Sequence, residues 1–159
     1  MTSDTLLADF QSHEHWLREA LAEARLASEK GEVPVGAVMV REGRLIGRGH
    51  NQVEALGDPT AHAEVLAIGA AAGEGPDWRL DGSVLYVTLE PCTMCCGAIL
   101  LARVSKVVFG VTDPRAGGAV STARLFEGNP YRQKVEVVGG ILAPECGALL
   151  KDFFLGRRD

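Results

Sequence analysis

The sequence has no apolar run approaching the ~18 residues that cross a bilayer. Its first ten residues, Met1 to Phe10, carry Asp4 and Asp9 and no basic residue, which excludes the positive n-region of a secretory signal. A cytoplasmic protein is the default expectation, with no membrane partner. A positive charge balance is missing too: 16 Lys and Arg against 21 Asp and Glu leave a net charge of −5. Dedicated nucleic-acid binders usually present a basic face. The total charge therefore gives no support to such a partner and leaves only a local basic patch to serve one. Internal repeats, low-complexity tracts and linkers are also absent. The 159 residues therefore predict a single domain, 1–159. A domain of this size buries about 68–70% of its unfolded surface and needs no covalent staples.

Cysteines are few: Cys92, Cys95, Cys96 and Cys146, three of them within five positions. A disulfide framework would spread them along the chain, so metal binding is the better reading for at least two.

Ser12 to Lys30 reads as an amphipathic helix, with Trp16, Ala20, Ala24 and Ala27 at spacings of three and four and Gly31 ending it. Val35 to Val40 and Arg44 to His50 read as a hairpin around Glu42-Gly43. Asp58-Pro59-Thr60 is a helix-start signal before an alanine-rich helix, Ala61 to Ala72. Val84 to Thr88 is a buried strand, and Pro91 opens a helix to about Ala102. Lys106 to Gly110 is a fourth strand, Thr122 to Phe126 a short helix, and Val135 to Val138 a fifth strand. Pro144 to Arg157 is a last helix with Leu149, Leu150, Phe153 and Phe154 as its apolar stripe. Strands alternating with helices predict an α/β fold: a three-layer α/β/α sandwich around a mixed five-stranded sheet.

Two segments carry chemistry. Cys92 and Cys95, at i and i+3 in a first helical turn, share a face and can grip one ion. The unpaired N–H groups of a helix start favour the thiolates a metal requires. His62 adds a nitrogen ligand. Three protein ligands leave one open position on a tetrahedral zinc for water, the pattern of a catalytic centre, and zinc lowers that water's pKa to about 7. Glu64, two residues after His62, reads as the carboxylate that takes the water's proton and delivers it to a departing amine. A redox Cys-x-x-Cys, or a buried Cys pair beside an ordinary helix His, would leave His62-Ala63-Glu64, some 30 residues earlier, without a purpose, and a structural zinc has no use for Glu64. His-x-Glu followed by Pro-Cys-x-x-Cys is the zinc-deaminase signature.

The stretches Glu32-Val33-Pro34-Val35-Gly36-Ala37-Val38, Asp58-Pro59-Thr60-Ala61-His62-Ala63-Glu64 and Leu85-Tyr86-Val87-Thr88-Leu89-Glu90-Pro91-Cys92 closely resemble bacterial tRNA adenosine deaminases, of the cytidine/deoxycytidylate deaminase superfamily. So do Val107-Val108-Phe109-Gly110, Gly140-Ile141-Leu142, Glu145-Cys146 and Asp152-Phe153-Phe154. The resemblance covers roughly residues 12 to 158. It implies a homodimer with one zinc per subunit and a bound water or hydroxide. The implied reaction is hydrolytic deamination of the wobble adenosine of a tRNA anticodon stem-loop to inosine. It implies His62, Cys92 and Cys95 as ligands and Glu64 as proton shuttle. It also implies substrate contacts from Asn51, from backbone groups at Ala63 and Glu90, from Asp113 beside a neighbouring ribose, and from Phe153 or Phe154 stacked on the substrate. Asn51 and Asp113 have plainer readings as turn residues. Arg157 and Arg158 reach either phosphates or the helix C-terminus. Arg132-Gln133 stand where the family usually has Asn-His near the RNA. Cys96 and Cys146 read as small buried hydrophobes; His13, His15 and His50 have no ligand spacing. Two other functions fit the residues: deamination of a free purine such as guanine or adenine, and a non-catalytic zinc-stabilised binding module.

Overall fold

The computed structural model describes residues 2–157. Helix α1 (Ser3–Glu29) buries the stripe Leu17, Ala20, Leu21, Ala24 and Ala27, the spacing the sequence predicts. It starts nine residues earlier than that apolar pattern does. The Thr2 hydroxyl accepts from the Thr5 N–H, and Asp4 faces the positive end of the helix, so capping extends it where no packing is needed. Leu6, Leu7 and Phe10 remain exposed on this extension. At the other end Gly31 takes a left-handed φ of 76°. There the N–H groups of Gly31 and Glu32 return to the Ser28 and Ala27 carbonyls, the Schellman closure that glycine permits.

Strands β1 (Gly36–Arg41) and β2 (Arg44–His50) form a hairpin whose two turn residues, Glu42 and Gly43, both have positive φ. With β3 (Ser83–Leu89), β4 (Lys106–Val111) and β5 (Glu136–Val138) they make one sheet in the order β2-β1-β3-β4-β5. β1 runs antiparallel to β2 and β3, while β3, β4 and β5 are parallel. The mixed five-stranded sheet of the sequence reading is present.

Alternation along the strands separates two cores. Val38, Val40, Tyr86 and Val108 face α1 and α5 (Ala143–Leu155), together with Leu17, Leu21 and Cys146. Ala37, Met39, Leu85, Val87, Val107 and Phe109 face α3 (Ala63–Glu74) and α4 (Thr93–Leu101), with Ala67 and Ile99. Helix α3 lies hard against β2 because its facing residues are alanines and the strand's are glycines. A Cβ at Gly49 would stand 2.6 Å from the Ala63 carbonyl and 2.8 Å from the Ala67 nitrogen. Among the described residues no helix is long and apolar enough to cross a membrane.

Three local readings differ from the structure. Asp58-Pro59-Thr60 forms a turn in which the Asp58 carboxylate accepts from the Thr60 N–H and hydroxyl. Such an Asx turn competes with helix, so α3 begins at Ala63. A one-turn helix α2 (Val53–Leu56) lies where no element is predicted; four residues carry too little periodicity to be read. The short helix near Thr122 to Phe126 is a 3-10 turn at Leu125–Glu127.

Candidate metal centre and its cavity

The C-terminal ends of β2, β3 and β4 lie at one edge of the sheet, and helices α3 and α4 start there. His62 is the N-cap of α3 and Cys92 the N-cap of α4, both in extended backbone; Cys95 is two residues into α4. Two helix N-termini, with their partial positive charge, therefore meet at one point. The ligand atoms of His62, Cys92 and Cys95 lie within 4.8 Å of one another. His62 Nδ1 stands 3.6 Å from the Cys92 sulfur and 3.5 Å from the Cys95 sulfur. A tetrahedral zinc with Zn–N of about 2.0–2.1 Å and Zn–S of about 2.3 Å requires N···S separations of about 3.5 Å. The donor set thus fits zinc in identity and in spacing.

The electrostatics of the cluster couple its members closely. Cys92 is held down at about 4, first by the bond between its sulfur and the Cys95 thiol and, against burial, by His62. The Cys92 sulfur and burial push Cys95 up; a bound cation reverses that shift, since a coordinating thiol is deprotonated outright. His62 is raised, chiefly by its bond to Cys92. Glu64, in the first turn of α3, is buried and pushed up to about 7 by that burial, with the Cys92 sulfur adding to it. A carboxyl poised near neutrality is matched to moving protons.

A cavity of about 540 Å³ opens over this centre. Every expected site residue borders it except Cys95, which is buried behind: Asn51, His62, Ala63, Glu64, Glu90, Cys92, Asp113, Phe153 and Phe154. Their engagements vary. The Asn51 amide donates to the Val33 carbonyl and accepts from the Val53 N–H, 3.3 Å each, so it serves a turn while facing the cavity. Ala63 heads α3, where an N–H has no intrahelical acceptor. The Asp113 carboxylate caps its own loop through the Arg115 and Ala116 N–H groups, 3.1 Å each. Phe153 and Phe154 pack edge to face, with centroids 5.3 Å apart, and Phe154 is half exposed. Arg157 stacks over Phe153 at 4.3 Å and donates to the Gly31 carbonyl. That interaction spans α5 and the end of α1, whereas the sequence reading offered a phosphate or the helix terminus. Arg158 lies outside the described residues.

Glu90 borders the cavity. Its backbone N–H is spent on the Val111 carbonyl at 2.9 Å, so of its backbone groups the carbonyl is the one left to face a base. Its side chain instead holds the loop at 113–121. Burial pushes this carboxyl up, but the Ser121 hydroxyl and three backbone N–H groups outweigh burial and hold it below its usual value.

Sequence reasoning missed Glu32. Its buried carboxylate borders the cavity and accepts from Glu54 N–H at 3.0 Å and Ala55 N–H at 2.7 Å, pinning α2. A charged residue abutting the apolar Val-Pro-Val run was the available signal. The histidines without ligand spacing have structural partners. His13 Nδ1 is 3.0 Å from the Tyr86 hydroxyl, His15 packs on Trp16, and His50 bridges Glu23 and Lys30. Cys96 and Cys146 are buried as read, Cys96 against the Pro91 carbonyl. Gln133 uses its side chain on the Val104 carbonyl, 3.1 Å away.

A mixed α/β/α sandwich with a His–Cys–Cys triad and a buried carboxylate at the open edge of its sheet has the make-up of a zinc hydrolase. The cytidine and deoxycytidylate deaminase zinc-binding region matches residues 10–111, and the chain belongs to that family. It is 48% identical over 141 residues to the tRNA-specific adenosine deaminase of Bacillus subtilis, covering 89% of this chain and 88% of the relative. A solved structure from work on A-to-I editing by tRNA:A34 deaminases at the wobble position superposes with a TM-score of 0.83 at 43% identity, covering 86% of this chain and 99% of the other. The guanine deaminase of Nitrosomonas europaea superposes with a TM-score of 0.74 at 25% identity, covering 88% and 83%.

Proposed function

We propose that the protein is a zinc-dependent deaminase that converts adenosine to inosine at the wobble position of a tRNA anticodon. The observation that carries the chemistry is the placement of Glu64: a buried carboxyl that borders the same cavity as His62 and Cys92. The similarity to tRNA-specific adenosine deaminase over nearly nine-tenths of both chains supports the substrate.

In this reading His62 Nδ1 and the sulfurs of Cys92 and Cys95 would hold one zinc per subunit. Bound zinc supplies Lewis acidity, which makes water a nucleophile at neutral pH. Glu64 takes a proton from water as it adds to the purine carbon bearing the amine. The same carboxyl delivers that proton to the ring nitrogen, a second transfer through it protonates the amine, and ammonia departs. Adenosine and water become inosine and ammonia, and Glu64 ends as it began. Phe154, half exposed, offers an aromatic face to the substrate while Phe153 lies under Arg157; stacking one base is worth about 1–3 kcal/mol. Asn51 and the Ala63 N–H orient the base, and Asp113 accepts from a neighbouring 2′-hydroxyl, a means of preferring RNA. The reading includes a homodimer in the cytoplasm; sedimentation equilibrium should return twice the chain mass.

A second reading, deamination of a free purine, is favoured by the net charge of −5 and by the likeness to guanine deaminase. One panel separates the two: product formation on an anticodon stem-loop, single-stranded DNA, adenosine, adenine, guanine and cytidine. Inosine in the stem-loop is the expected result; turnover of guanine with none on the stem-loop reverses the assignment.

A further inference from the structure

We propose that the Glu90 side chain is a positioning residue for substrate: by folding residues 113–121 into one wall of the cleft, it sets how tightly substrate is held. The inference rests on the deaminase reading of the site. Glu90 is 2% exposed, and no cation pairs with it among the described residues. A buried carboxylate of this kind is costly unless its oxygens are saturated with donors. Here they are, and all four donors come from one loop. The N–H groups of Asp113, Val120 and Ser121 donate at 3.0, 2.9 and 2.9 Å, and the Ser121 hydroxyl donates as well.

Apolar packing does little to shape the loop: from Thr112 to Thr122 only Gly117, Gly118 and Ala119 are buried. Asp113 and Thr122 tie it to itself; its other ties beyond Glu90 include two to the metal-ligand segment. The Gly118 N–H donates to the Pro91 carbonyl at 2.8 Å, and Gly117 pairs with Cys92. A Cβ on Gly117 would overlap the Glu90 carboxylate, so this backbone lies directly on the buried charge. What the loop presents outward is functional ground: Asp113 and Ala116 border the cavity above the metal centre, and both also border an adjoining cavity of about 490 Å³. Glu90 thus gathers a poorly packed segment into a defined wall beside Cys92 without entering the chemistry itself.

Glu90→Gln keeps the size of the side chain and turns one acceptor into a donor facing donors. The zinc-loaded variant should show faster amide hydrogen exchange at Asp113, Val120 and Ser121 with α4 still protected. It should keep one zinc per chain and raise KM for the stem-loop at least tenfold while lowering kcat by less than threefold. Gly117→Ala, made from the loop side, should move KM the same way, and the double variant should be no worse than the worse single variant. A loosened loop with unchanged KM overturns the inference. So does loss of zinc with kcat falling as much as kcat/KM, which assigns Glu90 to the metal centre alone. If Glu90→Gln does not fold, Ser121→Ala removes one donor and should raise KM about threefold; an unchanged KM there also overturns it. Absence of stem-loop turnover by the unaltered protein is a failure of the functional reading instead. The same KM comparison is then made on whichever purine that protein deaminates.

Discussion

Glu64 and His62 are two residues apart, a spacing that in mid-helix sends side chains to different sides. Here His62 is the cap, outside helical backbone, and Glu64 is in the first turn, so both reach one cavity. Glu64→Ala should retain zinc by metal analysis and lose at least about two orders of magnitude in rate, the usual worth of a positioned acid–base group. A fully active variant would dismantle the mechanism. His13 carries a second residue-scale prediction. Burial, and then Lys106, lower its pKa below 6.5, so the folded protein binds protons there less readily than the unfolded chain does. The stability this contributes is present above about 6.5 and is lost as pH falls from there through the depressed folded value. His13→Gln preserves a polar partner for Tyr86 without titrating; its denaturation midpoint should fall less steeply in acid than that of the parent. The candidate ligand group His62, Cys92 and Cys95, which the fold brings together, and Glu64 beside it were legible in the sequence because zinc chemistry dictates residue types at short spacings. The side-chain partners of Glu32 and Glu90 were not, because each lies more than 20 positions away and only the folded chain joins them.

Helix α3 delivers His62 and Glu64 as a unit, and its seat on β2 fixes where they stand. Gly49→Ala would force a methyl group against the Ala63 carbonyl and the Ala67 nitrogen. Backbone cannot yield as a flexible side chain does, so urea unfolding should show a loss of about 1–3 kcal/mol, typical of overpacking. The activity lost at temperatures where the variant is fully folded reports how far the helix start has shifted. The strands and long helices were readable because burial imposes periods of two and 3.6 on their apolar residues. The ends were less so. Asp58 and Thr60 look the same in a turn as in a helix cap, and the first turns of α1 bury nothing and so carry no apolar rhythm.

Across the molecule, the metal centre ties α3 to α4 at the edge of the sheet, so zinc should stabilise the whole fold. Stripping zinc with a chelator should lower the thermal midpoint, and adding it back should restore both midpoint and activity. With free zinc at 100 times its Kd, the gain is about 2.7 kcal/mol. Substrate shape matters at this scale as well. A base must be turned out of its stack to enter the cavity, costing a few kcal/mol unless it is already unpaired. Duplex RNA carrying the same sequence should therefore react far more slowly than the loop, and equal rates would contradict the assignment. The α/β/α class could be read from the alternation of elements. The cavity could not, because its walls come from the α1–β1 connection, the residue after β2, α2, the end of β3, the starts of α3 and α4, the β4–β5 connection and the end of α5.

The 27-residue α1 is a rod of roughly 40 Å at 1.5 Å per residue, and the cleft begins only beyond its C-terminal end, at Gly31. Its opposite tip is the natural place for an affinity handle, a fluorophore or a fused partner. Arg157 by contrast joins the segment after α5 to Gly31 and borders the cleft, so an alteration there should be felt by the site while one at the far tip of α1 is not.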